Sequence, residues 1–236
     1  MRILIISKIL WLLEYIFFYP KLKKNLKSIV VAPPHQKTRI FDVGANTGQT
    51  VKFFRSVFKN SIIYAFEPDP SSYETLSRLN SNDTITFNVG LGERNEKSDF
   101  YISKFSETSS LNVANSDSKW NLIKLRILGV KQSESNNKIE INLQTIDYFV
   151  DHLRIPEIFL LKIDVEGSEF DVLKGALNSL LNRKINYILF EELRNDLYHN
   201  NFEKIDALLS ENNFERRFSQ KHSFGNFYEH LYSLKP

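Results

Sequence analysis

Three acidic residues of this chain stand where short apolar runs give way to turns: Asp42, Glu67 and Asp164. Asp42 follows the run Arg39-Ile-Phe and leads into Asp42-Val-Gly44-Ala-Asn46-Thr-Gly48. A glycine-rich turn between a strand and a helix lets the backbone come close to a ligand. A dinucleotide site would present G-x-G-x-x-G, with the pyrophosphate on the helix N-terminus. Here the spacing is Gly44-x-x-x-Gly48 behind an acid, which suits a ligand without a pyrophosphate but with positive charge. S-adenosylmethionine (SAM) carries a sulfonium and an ammonium, and Asp42 supplies the complementary charge. Gly44, Asn46 and Gly48 are therefore expected at the methionine end. The plainer reading is a strand-to-helix turn with no ligand.

Glu67 closes the run Ser61-Ile-Ile-Tyr-Ala-Phe66 and precedes Pro68-Asp69-Pro70. An acid at this place accepts hydrogen bonds from ribose hydroxyls, so Glu67 points to an adenosine ligand without separating SAM from NAD. Asp164 ends Ile158-Phe-Leu-Leu-Lys-Ile163, at the carboxyl edge where open α/β sheets bind ligands. Glu169, five residues on, has two readings. It could act in the site, or it could favour the positive end of a helix that Ser168 caps.

The elements that must position these residues follow from the hydrophobic pattern. After Arg39, apolar runs alternate with helical spacing, as in Val51, Phe54 and Phe58, which predicts a parallel sheet with crossover helices. A cap at Ser71 or Ser72 opens a helix to about Leu79. A third run, Ile85 to Val89, ends at Gly90-Leu-Gly92. Phe100-Tyr-Ile102 and Ile139 to Leu143 alternate like an antiparallel pair, an insertion with one helical candidate between, Lys119 to Val130. A helix from Ser168 to about Leu181, a strand Ile185 to Phe190 ending at Glu191, and a helix near Phe202–Ser210 complete the plan. Phe214 to Phe218 and Phe227 to Leu234 read as two strands around a loop with Gly225.

The chain has 236 residues, enough for one domain with a sizeable core, and no Cys, so no disulfide or thiolate metal site is available. The net charge is +3, unevenly spread. Residues 1–40 hold eight Lys/Arg against one acid, Glu14, a balance of +7 that leaves the rest at −4. A mildly acidic body argues against a nucleic-acid partner. We divide the chain into an apolar, basic arm, residues 1–34, and a domain, residues 35–236. Ile3 to Tyr19 is nearly all apolar and precedes four lysines between Lys21 and Lys27. A spanning helix wants ~20 apolar residues, and Lys8 and Glu14 interrupt this shorter run. Two readings remain for residues 1–30: peripheral contact with an anionic membrane, or a helix packed on the domain or on a second copy of the chain. The first predicts a cytoplasmic protein at the inner membrane face, the second allows a homo-oligomer.

In their order, Phe41-Asp-Val-Gly-Ala-Asn-Thr-Gly48, Ala65-Phe-Glu-Pro68, Val89-Gly-Leu-Gly92, Ser109-Ser-Leu111, Thr145-Ile-Asp147 and Leu161-Lys-Ile-Asp-Val-Glu-Gly-Ser-Glu169 resemble the FkbM-type methyltransferases. The resemblance covers about Arg39 to Glu191. It implies a class I, Rossmann-like α/β fold: a mostly parallel seven-stranded sheet with an antiparallel C-terminal strand, here with a central β insertion. It also implies SAM as cofactor and methyl transfer to an oxygen, often a sugar hydroxyl, so the expected partner is a small-molecule or glycan acceptor. Where family members carry a small residue before the Val-Gly turn, this chain has Asn88. We place Asn88 and Gly90 with Asp42, Gly44, Asn46, Gly48 and Glu67 as cofactor-binding residues.

A sugar hydroxyl is a poor nucleophile, so a general base or a metal should assist. Asp164 is the first catalytic candidate and Glu191, on the strand expected beside it, the second. His222 could reach over the site from the tail loop. Asp164 with Glu191 could hold a divalent cation through oxygens, but no His/Cys ligand cluster is legible and no metal is assigned. The competing readings are an NAD(P)-dependent sugar oxidoreductase or epimerase, and a nucleotide- or sugar-binding protein without turnover. The first lacks both G-x-G-x-x-G and a Tyr-x-x-x-Lys pair.

Overall fold

The computed structural model describes residues 14–33, 35–103, 111, 136–193, 201–223 and 226–236. A seven-stranded sheet is built from β1 (Thr38–Val43), β2 (Ser61–Phe66), β3 (Thr84–Phe87), β7 (Ile158–Ile163), β8 (Ile185–Leu193), β9 (Phe214–Lys221) and β10 (Phe227–Leu234), in the order β3-β2-β1-β7-β8-β10-β9. β3, β2, β1, β7 and β8 run parallel, while β10 is antiparallel to both β8 and β9. The parallel strands are near-continuous apolar runs because helices cover both faces. Every residue of β7, the central strand, is buried.

The period-2 alternation of strand side chains separates two cores. Ile40, Ile63, Ala65, Leu160, Leu189 and Leu231 point to one face, with α1 (Tyr19–Ile29), α2 (Gln49–Val57) and α3 (Pro70–Ser77). Phe41, Tyr64, Phe66, Leu161, Ile188 and Phe190 point to the other, with α4 (Ile146–His152), α5 (Glu169–Lys174), α6 (Leu177–Leu181) and α7 (Phe202–Glu211). A second sheet has the order β4-β6-β5, from β4 (Gly90–Leu91), β5 (Glu96–Ser103) and β6 (Asn136–Gln144). β5 and β6 form the antiparallel pair expected of the central insertion. The helical candidate at 119–130 lies outside the described residues.

Of the two readings for the arm, the described part follows the packed one. A π-helical turn, Glu14–Phe18, leads into α1. Phe18, Leu22 and Leu26, four apart and so on one helix face, are buried with Val30 in the same core as β1 and β7. No helix among the described residues is long and apolar enough to cross a membrane.

Two local expectations are corrected. The cap of α3 is Asp69, whose Oδ1 accepts from the Ser71 amide at 2.9 Å with Pro70 in the first turn. The helix expected from Ser168 to Leu181 is two helices broken at Gly175-Ala176. A Cβ at Gly175 would lie 2.0 Å from the Gly92 carbonyl oxygen, so that turn of backbone is pressed against the loop after β4. The Thr145-Ile-Asp147 motif is structural too. The Thr145 hydroxyl caps α4, accepting from the Tyr148 amide, and Asp147 accepts from the amides of Asn178 and Ser179 at the start of α6.

Candidate functional site

The strongest sequence motif forms the loop between β1 and α2. Gly44 and Gly48 have φ of +81° and +89°. A Cβ on Gly44 would stand 1.8 Å from the Asp164 carbonyl oxygen, and one on Gly48 would meet Leu79 at 2.4 Å. Asn46 also takes a left-handed conformation, φ +48°, which Asn tolerates better than most residues. Its amide donates to Glu67 Oε2 at 2.8 Å, and the Asp69 amide donates to Glu67 Oε1 at 2.8 Å. Glu67 therefore ties the β1 loop to the end of β2. Asn88 braces the same corner, donating from Nδ2 to the carbonyl oxygens of Glu67 and Pro68. Gly90 sits against Leu143 and Ile141, where a Cβ would meet Leu143 at 2.6 Å.

Asp42 is fully buried behind this loop. Its Oδ2 accepts from the Thr50 hydroxyl at 2.5 Å, while Oδ1 has no hydrogen-bond partner among the described residues. Asn46 Oδ1 is a second buried acceptor in that condition. Burial pushes the Asp42 carboxyl up to about 7, against the pull of Thr50 and Lys162. Burial likewise pushes Glu67 to about 7, although two backbone amides oppose it. Two orphan acceptors, one an acid, suit a ligand that brings donors and positive charge. The methionine ammonium of SAM is such a group, so the residues fit this cofactor.

At the carboxyl edge of β7 and β8 a second set of charges gathers. Lys162, 2% exposed, places Nζ 2.8 Å from Glu229 Oε1 and 3.6 Å from Asp164 Oδ2. His222 Nε2 lies 3.4 Å from Glu191 Oε2 and 3.9 Å from Glu229 Oε1. Its ring stacks on Phe18 with centroids 3.8 Å apart. Burial, then the Asp164 carboxylate, pushes Glu191 well above the usual carboxylate range. Burial acts on Glu229 in the same sense, but Lys162 and His222 outweigh it and hold that carboxyl down at about 2. Tyr19 lies in the field of the same groups, and burial with the nearby Glu229 drives its hydroxyl far above the ordinary value.

The structure thus brings Asp42, Asn46 and Glu67 to one corner, and Asp164, Glu191 and His222 to the adjoining one. Glu169 clasps its own loop: Oε1 accepts from Gly167 at 3.0 Å and from Val165 at 3.4 Å. Sequence reasoning missed Lys162, Glu229 and the Phe18–Tyr19 pair. The signal for the first two was a charged residue inside each of two apolar strand runs.

A seven-stranded sheet of this order, with a glycine-rich loop at the carboxyl ends of β1 and β2, is the class I, Rossmann-like methyltransferase fold. A solved fibrillarin from Aeropyrum pernix, in complex with natively bound SAM, has the same fold: TM-score 0.50 at 13% identity, over 91% of this chain and 74% of that one. The family model for the methyltransferase FkbM domain matches residues 42–216, and the chain belongs to this SAM-dependent methyltransferase family. Similar curated proteins include Methyltransferase 1 of Beauveria bassiana, 26% identical over 61% of each chain. They also include the 2-O-methyltransferase NoeI of Sinorhizobium fredii, 24% identical over 67% of this chain and 65% of that one. A third is the hexuronic acid methyltransferase AglP of Haloferax volcanii, 26% identical over 64% and 54%. The match therefore spans less than two thirds of the length of each of these relatives.

Proposed function

We propose that this protein transfers a methyl group from SAM to a hydroxyl of a sugar, on a glycan or glycoconjugate. The observation that carries this reading is the junction of two sites. A glycine loop with two buried orphan acceptors, Asp42 Oδ1 and Asn46 Oδ1, adjoins a cluster of carboxylates and an imidazole at the sheet edge. The activities for which NoeI and AglP are named, 2-O-methyl transfer and hexuronic acid methylation, support an oxygen and a sugar.

In this reading Asp42, Asn46 and the glycine loop hold the methionine end of the cofactor, and Glu67 holds the ribose. Asn88 fixes the Glu67 corner and Gly90 the loop beneath it. Bound SAM supplies a methyl group on a sulfonium, whose thioether leaves without protonation. The chain must align the acceptor oxygen and remove its proton, and alignment alone can contribute ~7–11 kcal/mol. Asp164 and Glu191 stand where that proton would go. Glu191, held by burial above the usual carboxylate range, is a stronger base near neutral pH than an exposed carboxyl.

The test is incubation with methyl-labelled SAM and a pool of glycans and sugar nucleotides, with products read by mass spectrometry. Labelled methyl ethers on sugar oxygens, lost in Asp164→Asn, are expected. Label only on protein, nucleic acid or nothing at all overturns the reading.

A further inference from the structure

We propose that Glu191, His222 and Glu229 form a divalent-cation site, in which the metal binds the acceptor hydroxyl and lowers its pKa. The inference deepens the transferase reading and assigns its proton-removal step to a metal-assisted site.

The geometry comes first. One ligand atom from each of the three residues lies within 4.8 Å of the other two. With metal–ligand bonds of about 2.1 Å, adjacent ligands stand roughly 3.0–4.2 Å apart as the angle opens from square to linear. The 3.4 Å separation from His222 Nε2 to Glu191 Oε2 falls in that range. Glu191 and Glu229 are held in place by backbone register, being Cα partners across β8 and β10. The imidazole is oriented by its stack on Phe18.

Charge is the second observation. Asp164 and Glu229 lie beside the buried Lys162, and Glu191 faces Glu229 across the strand pair. Lys162 takes Glu229 Oε1, and Glu229 Oε2 is left buried without a hydrogen-bond partner among the described residues. Buried like charges of this kind normally find a cation or give up their charge by holding a proton.

The donor set is one nitrogen and two carboxylates, which suits manganese or zinc and accepts magnesium less readily. Three protein ligands leave open positions, the mark of a site that binds substrate. A metal there accepts a lone pair from the hydroxyl oxygen, and the hydroxyl proton passes to Asp164 or to water. No electrons change hands.

The experiment is titration of the full chain with Mn²⁺, read by loss of the free-ion EPR signal and by nitrogen coupling to the bound ion. One Mn²⁺ per chain, with coupling from an imidazole nitrogen, is expected. His222→Ala should abolish the coupling, and His222→Ala and Glu191→Gln should each weaken binding at least about tenfold. Circular dichroism of both variants checks that they fold. Absence of binding at millimolar Mn²⁺, or binding unchanged in both variants, overturns the site. Methyl transfer that is unaffected by a chelator in a chain that binds Mn²⁺ overturns its catalytic part. Binding is read without turnover, so a site that binds Mn²⁺ in a protein that methylates no sugar refutes only the transferase reading.

Discussion

Glu229 faces Glu191 directly across the antiparallel pair β8–β10, and Lys162 reaches over from β7 to bond Glu229 at 2.8 Å. Like charges opposite one another in a sheet destabilise it, and the Lys162 ammonium offsets the charge of Glu229. Removing one partner of a buried ion pair typically costs about 3–5 kcal/mol. Lys162→Met should therefore lower the unfolding free energy by an amount in that range, read from urea denaturation. Adding Glu229→Gln to that variant should recover part of the loss. Equal stability of Lys162→Met and the wild type would show that the pair contributes nothing.

The glycine loop predicts a backbone effect. Gly44→Ala places a methyl group where the Asp164 carbonyl oxygen now sits, at φ +81°. β1 and β7 must then move apart at the pocket. SAM affinity should fall at least tenfold by calorimetry, with a melting temperature several degrees lower. Asn88→Ala removes two side-chain hydrogen bonds to carbonyl oxygens of the Glu67 corner, and should weaken SAM binding by a smaller factor.

Stability should depend on pH with a definite sign. Burial holds Asp42, Glu67 and Glu169 at about 7 in the folded chain, whereas they titrate near 4 when unfolded. Between those values the folded state binds more protons, so stability falls as pH rises. Glu229, held down at about 2, acts in the opposite sense only below about pH 4.5. The ligand-free chain should melt at a higher temperature near pH 5.5 than near pH 8. Saturating SAM should raise the melting temperature more near pH 8, because the cationic ligand binds the ionised Asp42. A melting temperature that climbs over this interval would contradict the argument.

Much of this architecture was legible in the sequence. The runs ending at Asp42, Glu67 and Asp164 had the composition of buried parallel strands, and each acid marked a strand end. Asp42 and Glu67 fell in one corner because neighbouring parallel strands in a βαβ unit end at the same edge. The break at Gly175 was not legible, since its cause is a carbonyl 83 residues earlier, on Gly92. Nor was the partnership of Lys162 with Glu229, which lie 67 residues apart. It depends on β10 entering the sheet beside β8, a pairing that local periodicity does not encode.

The arm gives a fourth prediction. Leu26 is fully buried under the sheet, whereas Val31 is 76% exposed. Leu26→Ala should cost about 2–5 kcal/mol, and Val31→Ala should stay within about 0.5 kcal/mol of wild type. Urea denaturation of both variants checks this. Equal midpoints would mean that α1 is not held on the domain in solution.

The sheet order carries a consequence for how the chain is made. β9 is synthesised before β10, yet it pairs with β8 only through β10, which lies between them. While the last strand is still inside the ribosome, β8 has an open edge and β9 has nothing to pair with. Exposed edges of this kind are where partly made chains aggregate. Glu229 arrives with that strand, so a stalled nascent chain would present the whole glycine loop but lack a wall of the acceptor cluster. Emergence of β10 therefore both closes the sheet and brings Glu229 to Glu191 and His222.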